Sequence, residues 1–257
     1  MPSLLIAIPG ALIIGFTLGL LGSGGSILTV PVLVYMLGQD EKVAIASSLA
    51  IVGIISLFGS IPTIRQKMTD WRMVLFFGVP GVIGTYLGAW GSVLVSGAVQ
   101  LVVFASVMMA VAYLMIKPAK LETGSLNPAG SNPYLIIVEG LGVGILTGFV
   151  GVGGGFLIVP ALVLLGGVEM HRAVATSLVI IAMKSFAGFA KYVDILSGVE
   201  IDLTIIALFS VVGIFGCVLA GRVAPQIPQE KLKRTFGVIL VVMGVFIFYQ
   251  TVPDLVF

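Results

Sequence analysis

The sequence predicts an all-α polytopic membrane protein. It is read as two inverted-topology repeats, each of three long helices plus a Gly-rich broken or re-entrant hairpin, with roughly eight to ten membrane segments in all. Three observations carry this reading. First, 59% of the 257 residues are hydrophobic and 9% are charged, with a mean hydropathy of +1.22. A water-facing domain carries about 25% charged residues, so a soluble enzyme is excluded. Second, a Gly-rich stretch ending in proline occurs twice at a fixed spacing. Third, Lys and Arg divide unevenly between the loops once that stretch turns back within the membrane.

Residues 19–34 read GLLGSGGSILTVPVLV and residues 148–163 read GFVGVGGGFLIVPALV. At an offset of 129, Gly19, Gly22, Gly24, Gly25, Leu28, Val30, Pro31, Leu33 and Val34 recur as Gly148, Gly151, Gly153, Gly154, Leu157, Val159, Pro160, Leu162 and Val163. The same offset carries Ala44, Ala46, Ser48 and Leu49 onto Ala173, Ala175, Ser177 and Leu178. With a small insertion, Gly81 and Gly84 fall on Gly213 and Gly216. Apolar composition alone does not produce such agreement, so the chain is a duplication within one membrane domain. Its N-terminal repeat is 1–118 and its C-terminal repeat 132–257. The linker between them, 119–131, is polar and aperiodic, and reads as a loop.

Each half divides alike. Apolar segments run about 4–21, 26–38, 43–64, 72–95 and 98–116, then 134–150, 155–167, 173–193, 202–221 and 235–250. Most are long enough to span ~30 Å of hydrocarbon. The second of each half is short, because Pro31 and Pro160 are expected in a first helical turn, where a missing N–H is harmless. The N-terminal segment has no Lys or Arg ahead of it and reads as part of the repeat rather than a leader.

Charge sets the orientation. With an even number of crossings per half, Lys and Arg split six against six. With each Gly-rich pair going in and coming back, ten share one side: Arg65, Lys67, Arg72, Lys117, Lys120, Arg172, Arg222, Lys231, Lys233 and Arg234. Lys42 and Lys191 lie opposite. The positive-inside rule selects the second arrangement, with both termini outside the cell's inner (plasma) membrane and the linker in the cytoplasm.

The residues that can carry chemistry lie within the spans. Gly22, Ser23, Gly24, Gly25 and Ser26 form one turn; Gly151, Gly153, Gly154 and Gly155 belong to the other. Two broken hairpins entering from opposite faces would bring helix N-termini toward the midplane, and unpaired N–H groups there attract anions. Close helix packing is the competing use of these glycines. Lys184, whose repeat counterpart is Ile55, lies about twelve residues from either end of its segment, too deep for easy snorkelling. It can face an anionic substrate or pair with Glu139. Ser47, Ser48, Thr176 and Ser177 occupy equivalent places near helix starts, suited either to substrate contact or to helix–helix hydrogen bonds.

The rest is exclusion. A single Cys217 and a single His171 allow neither a disulfide nor a Cys/His metal cluster. No zinc-protease helix, nucleophile elbow or Walker sequence occurs, so no enzyme, cofactor or metal is expected. No basic run suits nucleic acid.

The duplicated G-x-G-G-[SG]-x-L-x-V-P motif, Gly22 to Pro31 and Gly151 to Pro160, with the A-x-[AT]-S-L helix after each, resembles the TauE/SafE family of sulfite-exporter-like permeases over essentially the whole chain. That resemblance implies a secondary transporter, read as an exporter, of a small sulfur-containing anion such as sulfite or an organosulfonate. Its partners are then that anion, membrane lipid and a coupling proton or ion, and a homo-oligomer stays open. A passive anion channel and a scaffold subunit with no transport are the alternatives. Alanine at Gly25 or Gly154 is expected to impair transport more than folding.

The charge division yields the first prediction. A cysteine placed at Ser125 should stay unreactive toward an impermeant thiol reagent applied to intact cells, and labelling from outside overturns the inverted arrangement.

Overall fold

A computed structural model describes residues 2–116, 133–151, 155–195 and 201–256. The 119–131 linker therefore lies outside the described residues. Among those described, the regular structure is helical and falls into ten elements, five per half. The first half holds α1 (Pro2–Leu21), α2 (Gly24–Met36), α3 (Glu41–Arg65), α4 (Trp71–Leu94) and α5 (Gly97–Ile116). The second holds α6 (Pro133–Val150), α7 (Gly155–Leu164), α8 (Met170–Ile195), α9 (Leu203–Gln226) and α10 (Gln229–Val256). Seven of these, α3 to α6 and α8 to α10, are long and apolar enough to cross a membrane, which makes the chain a multi-pass membrane protein. At 1.5 Å per residue, α2 and α7 reach only about 20 and 15 Å.

Loop acids start several of the long helices. The Asp40, Asp70 and Asp202 carboxylates accept from the backbone N–H groups of Lys42 at 3.0 Å, Arg72 at 3.0 Å and Thr204 at 2.8 Å. Such caps are worth about 1 kcal/mol each.

The prolines sit differently from expectation. Pro31 and Pro160 lie inside their helices, which already begin at Gly24 and Gly155. Both helices are short, as expected, but not because proline opens them. Glycine at a helix start needs no proline, and each proline instead removes an N–H further along the ladder. After Pro31 the backbone widens into a π-type turn over Val32–Met36, and a second such turn, Val74–Gly78, precedes Pro80 in α4.

Packing pairs equivalent helices reciprocally across the halves. α1 packs on α9 as α6 packs on α4, while α3 meets its own counterpart α8, α5 meets α10, and α2 meets α7. The glycine contacts give the directions. Gly15 and Gly19 of α1 face Gly213 and Cys217 of α9, and Gly81 and Gly88 of α4 face Gly140 and Phe149 of α6, so both pairs run parallel. Gly53 lies against Ser185 and Gly188 against Leu49, whereas Gly237 meets Ile116 and Gly244 meets Met109; α3–α8 and α5–α10 therefore run antiparallel. Lipid gives no hydrophobic drive to join helices, so van der Waals contact between close backbones must do so, and small residues permit it.

Each end of the bundle gathers its own loops. At one end the Asp70 N–H donates to Thr176 Oγ1 at 2.9 Å, His171 Nε2 lies 3.2 Å from the Ala224 carbonyl, and the Gln229 amide donates to Glu169. At the other, the hydroxyls of Tyr35 and Thr251 meet at 2.7 Å, and Gly97 lies against Glu41.

A methyl at Gly15 would run into the Gly213 carbonyl, whereas one at Gly142 would meet nothing within 4 Å. Gly15→Ala should therefore destabilise the purified protein by about 1–3 kcal/mol, the usual cost of overpacking. Gly142→Ala should be neutral or stabilising, since helical glycine costs up to ~1 kcal/mol against alanine. Size-exclusion profiles after graded heating read both; equal melting of the two variants contradicts a close α1–α9 crossing.

Candidate functional site

The first Gly-rich turn is built by ending one helix and starting another within two residues. Gly22 takes φ +71°, a left-handed conformation costly to any side chain, and its N–H still reaches the Leu18 carbonyl at 2.8 Å. Ser23 then precedes α2 without any side-chain bond to the helix's first N–H groups. Ser23, Gly24, Gly25 and Ser26 are all buried. In the second half Gly151 takes φ +75° and donates to Thr147 at 2.9 Å. Gly153 and Gly154 lie outside the described residues, and Gly155 opens α7.

The start of α7 comes up against the first turn. A Cβ built on Gly155 would lie 2.9 Å from Ser26 Oγ and 3.2 Å from Ser23 Cα, with Ile181 of α8 at 3.0 Å. Gly155 thus leaves open a small space that the serine turn borders. Gly24 and Gly25 point elsewhere. A methyl on Gly25 would meet the Ile14 carbonyl, with Leu18 Cβ at 2.6 Å, and one on Gly24 would lie 2.9 Å from the Thr17 carbonyl. Both seat α2 on α1. The expectation that Gly25→Ala spares folding is therefore not met: its hydrogen faces neighbouring backbone rather than the other turn.

The hydroxyls divide by role. Ser26 Oγ donates to the Ser23 carbonyl at 2.8 Å and Ser48 Oγ to Ile45 at 2.8 Å, so both are spent locally. Thr176 holds the Asp70 N–H, a structural task at the bundle's end. Ser177 ties α8 to the first turn, its Oγ 2.8 Å from the Val174 carbonyl and 3.1 Å from that of Gly22. Ser47 is buried and its hydroxyl has no partner.

Lys184 is 0% exposed, and its Nζ has neither a hydrogen-bond nor an ion-pair partner; the pair with Glu139 does not form. The ammonium sits 5.0 Å from the Phe77 ring centroid, in the notch above Gly81, where a glycine Cβ would be 2.6 Å away. Its counterpart Ile55 fills the notch of Gly213, the counterpart of Gly81. One half thus places an unpartnered amino group where the other places a methyl group. Lys184 lies one turn beyond Ile181, the residue that touches Gly155.

Three residues of this region are not marked by the sequence motifs. Phe77 lies in the widened turn before Pro80, and a proline inside an apolar run is the available signal. Tyr192 and Gln100 are buried beside the second turn, Gln100 Nε2 donating to Tyr192 Oη at 2.8 Å, with Tyr192 Oη 3.4 Å from the Gly148 and Phe149 carbonyls. Their repeat counterparts are Thr63 and Leu232, so comparing the halves position by position would mark both.

The comparisons with known proteins agree in kind. The family described as "Sulfite exporter TauE/SafE" matches residues 7–247. A "Probable membrane transporter protein" of Xylella fastidiosa (strain Temecula1) is 31% identical over 99% of this chain and 98% of its own. The "Probable membrane transporter protein YunE" of Bacillus subtilis (strain 168) is 28% identical over 96% of this chain and 98% of its own. No solved structure matches.

The unequal use of the paired serines can be measured. Ser177→Ala removes a link between α8 and Gly22 and should lower stability by about 0.5–1.5 kcal/mol, the net worth of one hydrogen bond. Ser48→Ala removes a bond within its own helix and should cost less. Thermal denaturation of the two purified variants decides, and a greater loss for Ser48→Ala would reverse the assignment.

Proposed function

Because the chain belongs to the TauE/SafE sulfite exporter family, we propose that this membrane transporter carries a small sulfur-containing anion, such as sulfite or an organosulfonate, out of the cell by alternating access. The anion binds near the midplane between the Gly22–Ser26 turn and the Gly151–Gly155 turn. The convergence of Ser23 and Ser26 on Gly155 is the single observation that carries this reading. Helix α2 begins there with N–H groups that no side chain caps, and such a start favours an anion. Lys184 supplies the opposite charge from about one helical turn away, ~5 Å. An ammonium stripped of water and left unpartnered is costly, and an arriving anion offsets that cost. Ser47, also without a partner, and Ser177 border the same helices.

The antiparallel packing of α3 on α8 and of α5 on α10 supports the inverted arrangement, because a two-fold axis relating antiparallel equivalents lies across the helices. The repeats are then 1–118 and 132–257, with both termini outside the inner membrane and a proton or ion gradient driving the cycle. The Tyr35–Thr251 contact, which sets the end of α10 beside the end of α2, agrees with it.

Proteoliposomes loaded with unlabelled sulfite or an organosulfonate should transiently accumulate the labelled anion, which a passive channel cannot do. Lys184→Ala should weaken binding by ~1.5–3 kcal/mol, the range for hydrogen bonds to charged groups, or about ten- to a hundredfold. Lys184→Met, of similar length but uncharged, should fail likewise. Gly155→Ala should cut flux while leaving folded protein. Normal binding by Lys184→Met in folded protein removes Lys184 from the site, and absence of any saturable anion flux removes transport itself.

A further inference from the structure

The two halves differ beside their Gly-rich turns. Between α1, α3, α8 and α9 lies a cavity of about 220 Å³, far more than one water's share of ~30 Å³. Gly19, Leu20, Thr63 and Cys217 line its wall, and His171 and Arg222 stand among its lining at the bundle end that gathers the 66–70 loop. The registers of the repeats locate its two-fold counterpart without ambiguity. Gly59 faces Cys217 and Leu178, and its equivalent Gly188 faces the equivalents of those residues, Thr85 and Leu49.

At that counterpart a bulkier side chain takes the place of Thr63. Tyr192 stands where the cavity has Thr63, and it is 0% exposed. Its hydroxyl reaches toward the carbonyls of Gly148 and Phe149, the equivalents of Gly19 and Leu20. Gln100, the equivalent of the lining residue Leu232, donates to Tyr192 Oη and is itself 0% exposed. The pair lies directly against the second Gly-rich turn, since a Cβ on Gly151 would be 2.7 Å from Tyr192 Oη. Gln100 Oε1 has no partner, so the arrangement is closed but not fully satisfied.

We propose that the cavity is the anion's vestibule on the Arg222 side, and that Tyr192, held by Gln100, is the gate that fills the equivalent vestibule on the opposite side. This rests on the transport reading above and adds to it the residues that decide which mouth is open. Arg222 at the rim draws anions in, and His171 borders the same mouth without an acidic neighbour in the lining. A single aromatic side chain is enough to shut the other mouth, because Tyr192 occupies with its ring the room that Thr63 leaves open. Rotation of that ring away from Gln100 would open a path along α6 to the second turn.

Cys217 is the only cysteine of the chain and lines the cavity, so the full-length protein reports on itself. In oriented membrane vesicles, a charged impermeant methanethiosulfonate should modify Cys217 from the Arg222 face alone. Thr63→Tyr, which copies the gate into the cavity, should slow that reaction by about tenfold or more, as expected for a two-state mouth biased by one packed side chain. In a Cys217→Ser chain, Thr85→Cys should resist the reagent from the opposite face, and adding Tyr192→Thr should speed its labelling by a similar factor. Thr85→Cys reacting as fast with Tyr192 in place, or Cys217 reacting unchanged in folded Thr63→Tyr, overturns the proposal. Anion flux measured on the same vesicles keeps the two readings apart. Flux with indifferent gates sinks the gate alone, and labelling as expected without saturable flux sinks transport alone.

Discussion

A helix that stops partway through a bilayer leaves backbone N–H and C=O groups that lipid cannot satisfy, and the architecture of this protein follows from carrying two such helices. α2 and α7 are too short to cross. Their starts must be enclosed by protein, and the other eight helices provide the enclosure. The turn at Gly22–Ser26 is buried, its Ser23 and Gly22 carbonyls are met by Ser26 and Ser177, and it leans on the start of α7. The parallel glycine crossings, α1 on α9 and α4 on α6, draw the long helices close enough to seal that interior. Donors left over at the start of α2 are therefore dry and fixed.

Much of the frame is legible without coordinates. The ten apolar segments correspond to the ten helices, since span length and loop polarity are local properties of composition. Pro31 lies deeper in α2 than propensity suggests, because tertiary packing tolerates it there once a widened turn absorbs the lost bond. The Gly-rich turns are legible through their duplication. What Gly25 faces is not, because the direction of one hydrogen depends on how α2 lies against α1. Lys184 is recognisable by depth alone. Its actual neighbours, Phe77 and Gly81, come from a different part of the chain and carry no pattern that spacing reveals.

The two halves agree at several glycines that let helices touch, such as Gly15 and Gly144 or Gly81 and Gly213, and differ at three buried polar positions. Ile55 against Lys184, Thr63 against Tyr192, and Leu232 against Gln100 are one-for-one exchanges of an apolar or small side chain for a longer one with a polar end. All three polar members are fully buried, where polarity is costly. A duplicated scaffold can bear such exchanges one position at a time, because the unchanged counterpart keeps the packing; Lys184 and Tyr192 fall in the second half and Gln100 in the first. At these three positions the internal symmetry of the chain fails in its buried interior.

The reciprocal pairing of α1 with α9 also governs how the chain is made. The first helix leaves the ribosome about 180 residues before its partner, so at 5–20 residues per second it waits on the order of ten to forty seconds for α9 to arrive. During that interval the glycine face of α1 has only lipid, or α2, against it. α4 waits for much less time, because α6 follows it after one intervening helix and the linker. The half made second is thus assembled onto a first half that is inserted but not yet closed, and neither half can reach its final shape as an independent folding unit.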